Sequence, residues 1–342
     1  MEINSLLKEV SRSFYLTLRV LPSAVRPQIG LAYLLARTTD TIADTEIVPV
    51  EQRLQALQAL RERILGTNRK PLDFGDLARQ QGLPAERVLL ERSEEALDIL
   101  GGLNGADQQR IREVIETITS GQELDLRRFA GASAQKIVPL ATEQELDDYT
   151  YRVAGCVGEF WTKMCRTHLF PRAKLDDRFL MENGVRFGKG LQLVNILRDL
   201  PVDLRNGRCY LPAGPLGEAG LNPTDLLEPK NEPRFRALYA GYLAQAEAHL
   251  TAGWAYTNAL PKRCVRVRLA CAWPILIGMK TLGKLRSGNV LDPERRIKVS
   301  RPEVKNLMLR SILSYPWPGA WRRLFPASGQ DGKAVASVKV FE

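Results

Sequence analysis

Histidine is nearly missing from this chain: two in 342 residues, His168 and His249, and no HExxH pair. Zinc hydrolysis and histidine-based nucleophilic triads therefore have almost no material to use. Cysteine is scarce and odd in number. Cys156, Cys165, Cys209, Cys264 and Cys271 form no CxxC. A zinc ribbon and a disulfide framework are thus not expected, and a reducing compartment is. Long apolar runs are missing too. The longest candidate, CAWPILIGM at Cys271–Met279, contains Pro274 and is well short of the ~20 residues a spanning helix needs. The first residues, MEINSLLKEVSRSFY, lack a basic-then-apolar signal pattern. The expected location is cytoplasmic, extending to the inner face of a membrane. Strand signals are few, no period of 20–50 residues recurs, and no GxGxxG follows a strand. Gly184, Gly188 and Gly190 are spaced differently and sit in a helical pattern.

What remains is an ordinary globular composition, 44% apolar and 26% charged, on a chain long enough for a sizeable core. The net charge of +10 suits nucleic acid, an anionic membrane surface or a polyphosphate substrate. No basic block resembles a nucleic-acid arm, so nucleic acid is not expected as a partner. A monomer is.

Apolar residues recur at three- and four-residue steps through most of the chain, which predicts an all-α fold. Helices are expected over residues 2–20, from Gln28 to near Asp44, and over Glu51–Leu65, Gly75–Gln81 and Pro84–Leu100. Further helices are expected over Ala106–Phe129, Glu143–Arg166, Leu175–Asp203, Glu232–Leu260, Arg263–Gly283 and Glu303–Leu313. Asn206–Pro233, rich in Gly and Pro, reads as one long connection. No linker separates two cores. Residues 1–315 therefore read as a single domain and 316–342 as a tail, either without fixed structure or docking on a membrane.

Two stretches carry the chemistry. In Leu191–Pro212, LQLVNILRDLPVDLRNGRCYLP, an apolar helical run holds Gln192, Asn195, Asp199 and Asp203. Residues four apart stack on one side of a helix. A row of carboxylates there is costly unless something positive meets it. Arg198, Arg205 and Arg208 lie close by. In Gln28–Asp44, Asp40 and Asp44 repeat the spacing, with Arg37 one turn earlier. Two DxxxD elements on apolar helices with adjacent arginines suggest facing walls of one cavity. There hard cations would bridge carboxylates and a phosphate. A diphosphate neutralised in this way becomes a leaving group, and the carbocation it leaves needs a dry, apolar and aromatic surround. Phe14, Tyr33, Tyr149, Tyr151, Phe160, Trp161 and Phe187 are the available aromatics. Each taken singly is better explained by the core, Tyr33 and Tyr149 excepted.

Four blocks, SRSF at Ser11–Phe14, YLLARTTDTIAD at Tyr33–Asp44, YTYRVAGCVGE at Tyr149–Glu159 and QLVNILRDLPVDLRNGRCYLP at Gln192–Pro212, resemble the squalene and phytoene synthases. These are head-to-head trans-prenyl transferases. The resemblance implies the all-α isoprenoid synthase fold, with helices around a central cavity. It implies that Asp40, Asp44, Asp199 and Asp203 hold Mg²⁺ and the substrate diphosphates. Arg12, Ser13, Phe14, Arg37, Gln192, Asn195, Arg198 and Arg208 would bind substrate. Tyr33 would line the site, and Tyr149 would assist proton or diphosphate handling in the first half-reaction. Two departures stand out. Ala43 occupies a position often acidic in the family, and Pro201 inside DLPVD is expected to kink the helix between the aspartates.

CAWPILIGMKTL at Cys271–Leu282 and IKVSR at Ile297–Arg301 resemble the reductive, squalene-forming subtype. There Arg12, Arg37, Arg198 and Lys298 would bind NADPH. The expected activity is squalene synthesis from two farnesyl diphosphates through presqualene diphosphate. Phytoene, dehydrosqualene or presqualene-diphosphate synthesis is the alternative, and a non-catalytic assembly factor a remote one. Pro316–Phe325 joins Trp317, Trp321, Leu324 and Phe325 to Arg322 and Arg323, a composition suited to peripheral membrane docking.

Overall fold

The chain's first long helix starts on a proline and stops where its apolar stripe stops. Arg26–Asp44 carries Pro27 in its first turn, where a missing N–H is harmless, and it ends before Val48-Pro49. The computed structural model describes residues 10, 14–294 and 296–326, the side chains of Phe14 and Tyr15 excepted. Arg12, Ser13 and the Phe14 side chain, three expected site members, lie outside the described residues, as does 327–342.

In chain order the helices are α1 (Phe14–Val20), α2 (Arg26–Asp44), α3 (Val50–Leu65), α4 (Gly75–Arg79), α5 (Pro84–Glu91), α6 (Ser93–Gly101) and α7 (Gly105–Arg128). Strand β1 (Val138–Leu140) follows, then α8 (Glu143–Thr150), a π-helical turn over Tyr151–Gly155, α9 (Cys156–His168) and α10 (Asp177–Arg205). After β2 (Arg208–Pro212) come α11 (Ala213–Glu218), α12 (Glu232–Ala259), α13 (Val265–Ser287), α14 (Arg301–Ser314) and α15 (Pro318–Arg322). Side chains begin several of these helices by accepting an otherwise orphaned backbone N–H. Asn104 does so for α7, Thr142 for α8 and Asp176 for α10.

Three sequence expectations are corrected. The helix expected over Pro84–Leu100 is two, broken at Arg92. The helix expected over Glu143–Arg166 is interrupted by the π turn. The Asn206–Pro233 connection contains β2 and α11. β2 pairs in parallel with β1, Val138 opposite Arg208 and Pro139 opposite Cys209. Alternation along the strand buries Cys209 and Leu211 and turns Arg208 and Tyr210 the other way. The turn into β2 needs Gly207, which has φ +78° and whose Cβ would stand 2.3 Å from the Ser133 nitrogen.

One apolar cluster is built on α2, α3, α6 and α7, and a second on α10, α12 and α13. Helices α9 and α10 cross between them almost backbone to backbone. A Cβ on Gly158 would lie 1.9 Å from the Gly184 oxygen, and one on Gly188 would lie 2.1 Å from the Ala154 oxygen. Helix α10 packs most extensively on α12.

Pro201 does not end α10, which runs on to Arg205. Proline has no N–H to give the Leu197 carbonyl. The hydroxyl of Tyr239 on α12, fully buried, donates to that carbonyl instead at 2.9 Å. The tail's first part folds back on the body: Trp321 is buried, stacked on Trp254 at 5.1 Å, and Phe325 stacks on Trp254 at 5.4 Å.

Tyr239→Phe strands a buried carbonyl and is expected to cost about 1–3 kcal/mol in urea unfolding. Pro201→Ala restores the missing donor, so the same Tyr239→Phe change should cost clearly less in that background. Equal costs in both backgrounds would refute the bridging role.

Candidate active site

The site lies on the seam between the two apolar clusters. A cavity of about 290 Å³ is lined by Asp40, Ala43 and Asp44 from α2, Gln122 and Asp125 from α7, and Tyr149 from α8. Gln192 from α10 and Arg208 and Tyr210 from β2 complete it. The helical spacing read from the sequence is what sets Asp40 and Asp44 along one wall.

Charge is concentrated here. The Asp40 carboxyl is pushed up to about 6, first by loss of hydration and then by neighbouring Asp44. Its side chain is 48% exposed, but it lines the cavity rather than standing out in bulk solvent. Gln122 donates to Asp40 Oδ1 at 2.6 Å, and Arg37 stands 3.9 Å from Asp40 Oδ2, both opposing that rise. Burial also raises Asp44, against Arg37 and Arg208. Asp203 on α10, which lines neither that cavity nor the recess at Asp199, is pushed up to about 7, by burial and then by Asp199. Asp125 reaches about 6, chiefly by burial. Carboxyls raised together by like charge and desolvation are poised for a cation.

The arginines are held on carboxylates. Arg37 pairs with Glu86. Arg208 pairs with Glu46 at 3.0 Å, tying β2 to the loop after α2. Arg198 grips Asp199 by two hydrogen bonds, Nε to Oδ1 at 3.0 Å and Nη2 to Oδ2 at 2.5 Å. Tyr149 is buried and stacked on Tyr210, ring centroids 4.8 Å apart at 22°. Tyr210 in turn meets Phe129 edge-on. The Tyr149 phenol is held well above its ordinary range, first by burial and then by Asp125, Asp203 and Asp44.

Asp40, Asp44, Gln192, Arg208 and Tyr149 thus meet in one cavity. Arg198 and Asp199 do not line it but a separate, smaller recess of about 70 Å³, with Arg296 and Ile297. Arg296 lies 3.9 Å from Asp199. Asn195 is exposed and donates to Gln192 at 3.5 Å. Tyr33 is partly buried against the first apolar cluster. Arg205 turns away, bonding the Pro201 carbonyl. Lys298 is exposed, lines neither recess, and offers its carbonyl to Lys284. Phe160 and Phe187 serve packing: Phe160 is buried in the first cluster, and Phe187 lies against Gly253.

Gln122, Asp125, Tyr210 and Arg296 were not singled out from the sequence. The signal for the first two was present, because GQELDL interrupts the apolar stripe of α7 with polar residues on its inner side. Among the described residues no three acidic, histidine or cysteine side chains already form a metal cage. The available donors are hard carboxylate oxygens together with Gln122 Oε1 and Asp125 Oδ1, two buried oxygens without a partner. That set suits a hard, hydrated cation completed by a ligand's phosphate oxygens.

A family model described as squalene/phytoene synthase matches residues 7–303. The chain is 30% identical over 305 residues to the presqualene diphosphate synthase of Zymomonas mobilis, covering 88% of this chain and 89% of that protein. It is 30% identical over 254 residues to the presqualene diphosphate synthase of Rhodopseudomonas palustris, covering 74% and 77%. The bifunctional lycopene cyclase/phytoene synthase of Blakeslea trispora is 28% identical over 320 residues. That match covers 88% of this chain and 48% of the relative, so the chain spans about half the length of such bifunctional proteins. Among solved structures, TcSQS bound to E5700 superposes with TM-score 0.74 at 23% identity, covering 90% of this chain and 84% of that one. A dehydrosqualene synthase with ligand gives TM-score 0.66 at 23% identity, covering 92% and 95%. These likenesses bear out the all-α isoprenoid synthase fold. With the family model spanning most of its length and two relatives 30% identical over more than two thirds of the chain, the chain belongs to the squalene/phytoene synthase family.

Proposed function

We propose that the chain joins two farnesyl diphosphates head to head, through presqualene diphosphate, to squalene. The observation that carries this reading is the cavity where Asp40 and Asp44 face Arg208, Gln192 and Tyr149. Asp40, Asp44, Asp199 and Asp203 would hold Mg²⁺, which when bound neutralises the departing diphosphate. Arg37, Arg198 and Arg208 would exchange their carboxylate partners for phosphate oxygens. Arg12, Ser13 and Phe14 are proposed to contact substrate on the strength of the SRSF resemblance alone. The reductive step would take hydride from NADPH, with Arg12, Arg37, Arg198 and Lys298 as its anchors. The two presqualene diphosphate synthases among the relatives favour a second reading, in which the reaction stops at presqualene diphosphate.

Products from farnesyl diphosphate and Mg²⁺, identified by mass spectrometry with and without NADPH, separate these readings. Squalene that appears only with NADPH supports the first, and presqualene diphosphate under both conditions supports the second. No condensation product from farnesyl or geranylgeranyl diphosphate would remove both. Asp40→Asn and Asp199→Asn are each expected to lower kcat by at least about 100-fold, the scale of losing one electrostatic stabiliser, with helical circular dichroism unchanged. Turnover that survives both substitutions would overturn the site assignment.

We also propose that the chain docks on an anionic membrane surface, through the outer face of α14 together with Trp317, Arg322 and Arg323 of the tail, and not through Trp321, Leu324 and Phe325. No helix among the described residues is long and apolar enough to cross a membrane. Trp321, Leu324 and Phe325 pack inward. Outward instead stand Leu309, Ile312, Leu313 at 60% exposure and Trp317 at 64%, with exposed Arg310, Arg322 and Arg323 around them. Apolar side chains in one face with a basic rim match anionic headgroups. Cosedimentation should be strong with phosphatidylglycerol vesicles, weak with phosphatidylcholine vesicles, and reduced by salt and by Leu313→Ser with Trp317→Ser. Equal binding to both vesicle types, or a dimer in solution lost through the same substitutions, would refute it.

A further inference from the structure

Arg268 is only 5% exposed, and no carboxylate among the described residues pairs with it. Its Nη2 donates to Asn258 Oδ1 at 2.8 Å, and its Nε is buried with no hydrogen-bond partner. The same Asn258 oxygen also accepts from Trp321 Nε1 at 2.8 Å, so it is shared. The guanidinium lies 5.5 Å from the ring centroids of both Tyr315 and Trp321. Two ring faces and half of a neutral acceptor return less than burying a cation costs. Its place in the fold adds to that cost. Arg268 stands in the first turn of α13, which holds no acidic residue and where unpaired N–H groups already present positive charge. Stacking alone would be served as well by an apolar side chain.

Arg268 also lines a cavity of about 540 Å³, together with Lys262 and Arg322, and no acidic side chain lines it. Lys262 and Arg322 are exposed. Trp254, Tyr315 and Trp321 give the cavity flat apolar walls. The contrast with Arg37, Arg198 and Arg208 is plain, since each of those rests on a carboxylate. The cavity is also remote from the aspartates. Helix α12 runs antiparallel to α10, with Tyr239 at Leu197, His249 and Leu250 at Gly190, and Gly253 at Phe187. Trp254 lies on the order of 20 Å along α12 from Tyr239, at 1.5 Å per residue, toward the end of α10 away from Asp199.

We propose that this cavity is a second anion site, which takes a phosphate oxyanion borne by a lipid headgroup or free in solution. Three cations on one cavity suit the charge of a phosphate better than that of a single carboxylate, and the guanidinium fork fits its oxygens. The rings beside it accept the organic part of a phosphate ester. The site goes beyond both readings above and depends on neither, since it shares no residue with the aspartate cavity and binds phosphate whether or not the chain reaches a membrane.

The test titrates the whole chain, without Mg²⁺ or prenyl substrate, with sodium phosphate against sodium chloride at equal ionic strength. Tryptophan fluorescence reads Trp254 and Trp321 at the cavity wall, and thermal melts read stability. Phosphate should change the emission saturably and raise Tm with the logarithm of its concentration. Hexanoate should bind more weakly. Arg268→Met should weaken phosphate by at least about tenfold, the scale of losing a buried charged partner. Arg208→Gln, in the other cavity, should keep the fluorescence response. The Lys262→Gln/Arg322→Gln double variant changes exposed residues only. It should weaken phosphate by about threefold or more, and it reads the site if Arg268→Met does not fold. Dihexanoyl phosphatidylglycerol, kept below its micelle concentration, separates the sources. Lipid that competes with phosphate and is lost in Arg268→Met assigns a headgroup, and phosphate binding without such competition assigns a free phosphate. No saturable response of the wild type to phosphate or to the lipid would overturn the site. So would a response that Arg268→Met and the double variant both leave within about twofold, because the arginine would then serve packing alone.

Discussion

Negative charge held close together in and around a recessed cavity is the constraint on which the site depends. Four carboxyls, Asp40, Asp44, Asp125 and Asp203, are each raised by burial before any neighbour acts. Apolar packing on both sides of the seam holds them there against that penalty. Arginines offset part of it, but Arg37, Arg198 and Arg208 are each already paired with a carboxylate. The remainder is a standing demand for positive charge. A cation-bridged polyanion answers it twice over, since the cation satisfies the aspartates and the polyanion can compete for the arginines.

Backbone proximity gives this charge its geometry. Side chains on α9 and α10 are reduced to hydrogen where the helices touch, at Gly158, Gly184 and Gly188. The π turn over Tyr151–Gly155 lies against α7 and α10 directly after Tyr149. Such a turn inserts a residue into helical phase, so α8 and α9 present their faces at different angles. Tyr149 is thus aimed by α8 while the glycines of α9 keep contact with α10. On the opposite side, the short parallel pairing of β1 with β2 sets Arg208 and Tyr210 on the cavity face.

Much of this was legible in the residues. The helical period gave the all-α class, and the four-residue spacing of Asp40 and Asp44 set both along one wall of the cavity, whereas Asp199 lines a separate recess. Two things resisted. Strand β2 is short and pairs with a partner some 70 residues earlier, so no local alternation announced it and Tyr210 went unnoticed inside a recognised motif. Gln122 and Asp125 sit in a helix whose apolar stripe explained it well enough by itself. Their role depends on what faces them, which spacing cannot tell. Pro201 was legible as a problem but not as a solved one, because its answer lies on α12.

That answer has a consequence for related sequences. The Tyr239 hydroxyl is needed at Leu197 only because residue 201 brings no N–H. In a chain with any other residue at the position of Pro201, the helix closes its own bond and a phenylalanine would serve on α12. Proline and tyrosine at these two places form a lock and its key across separate helices. They should be inherited and lost together, a pairing visible in aligned sequences without any structure.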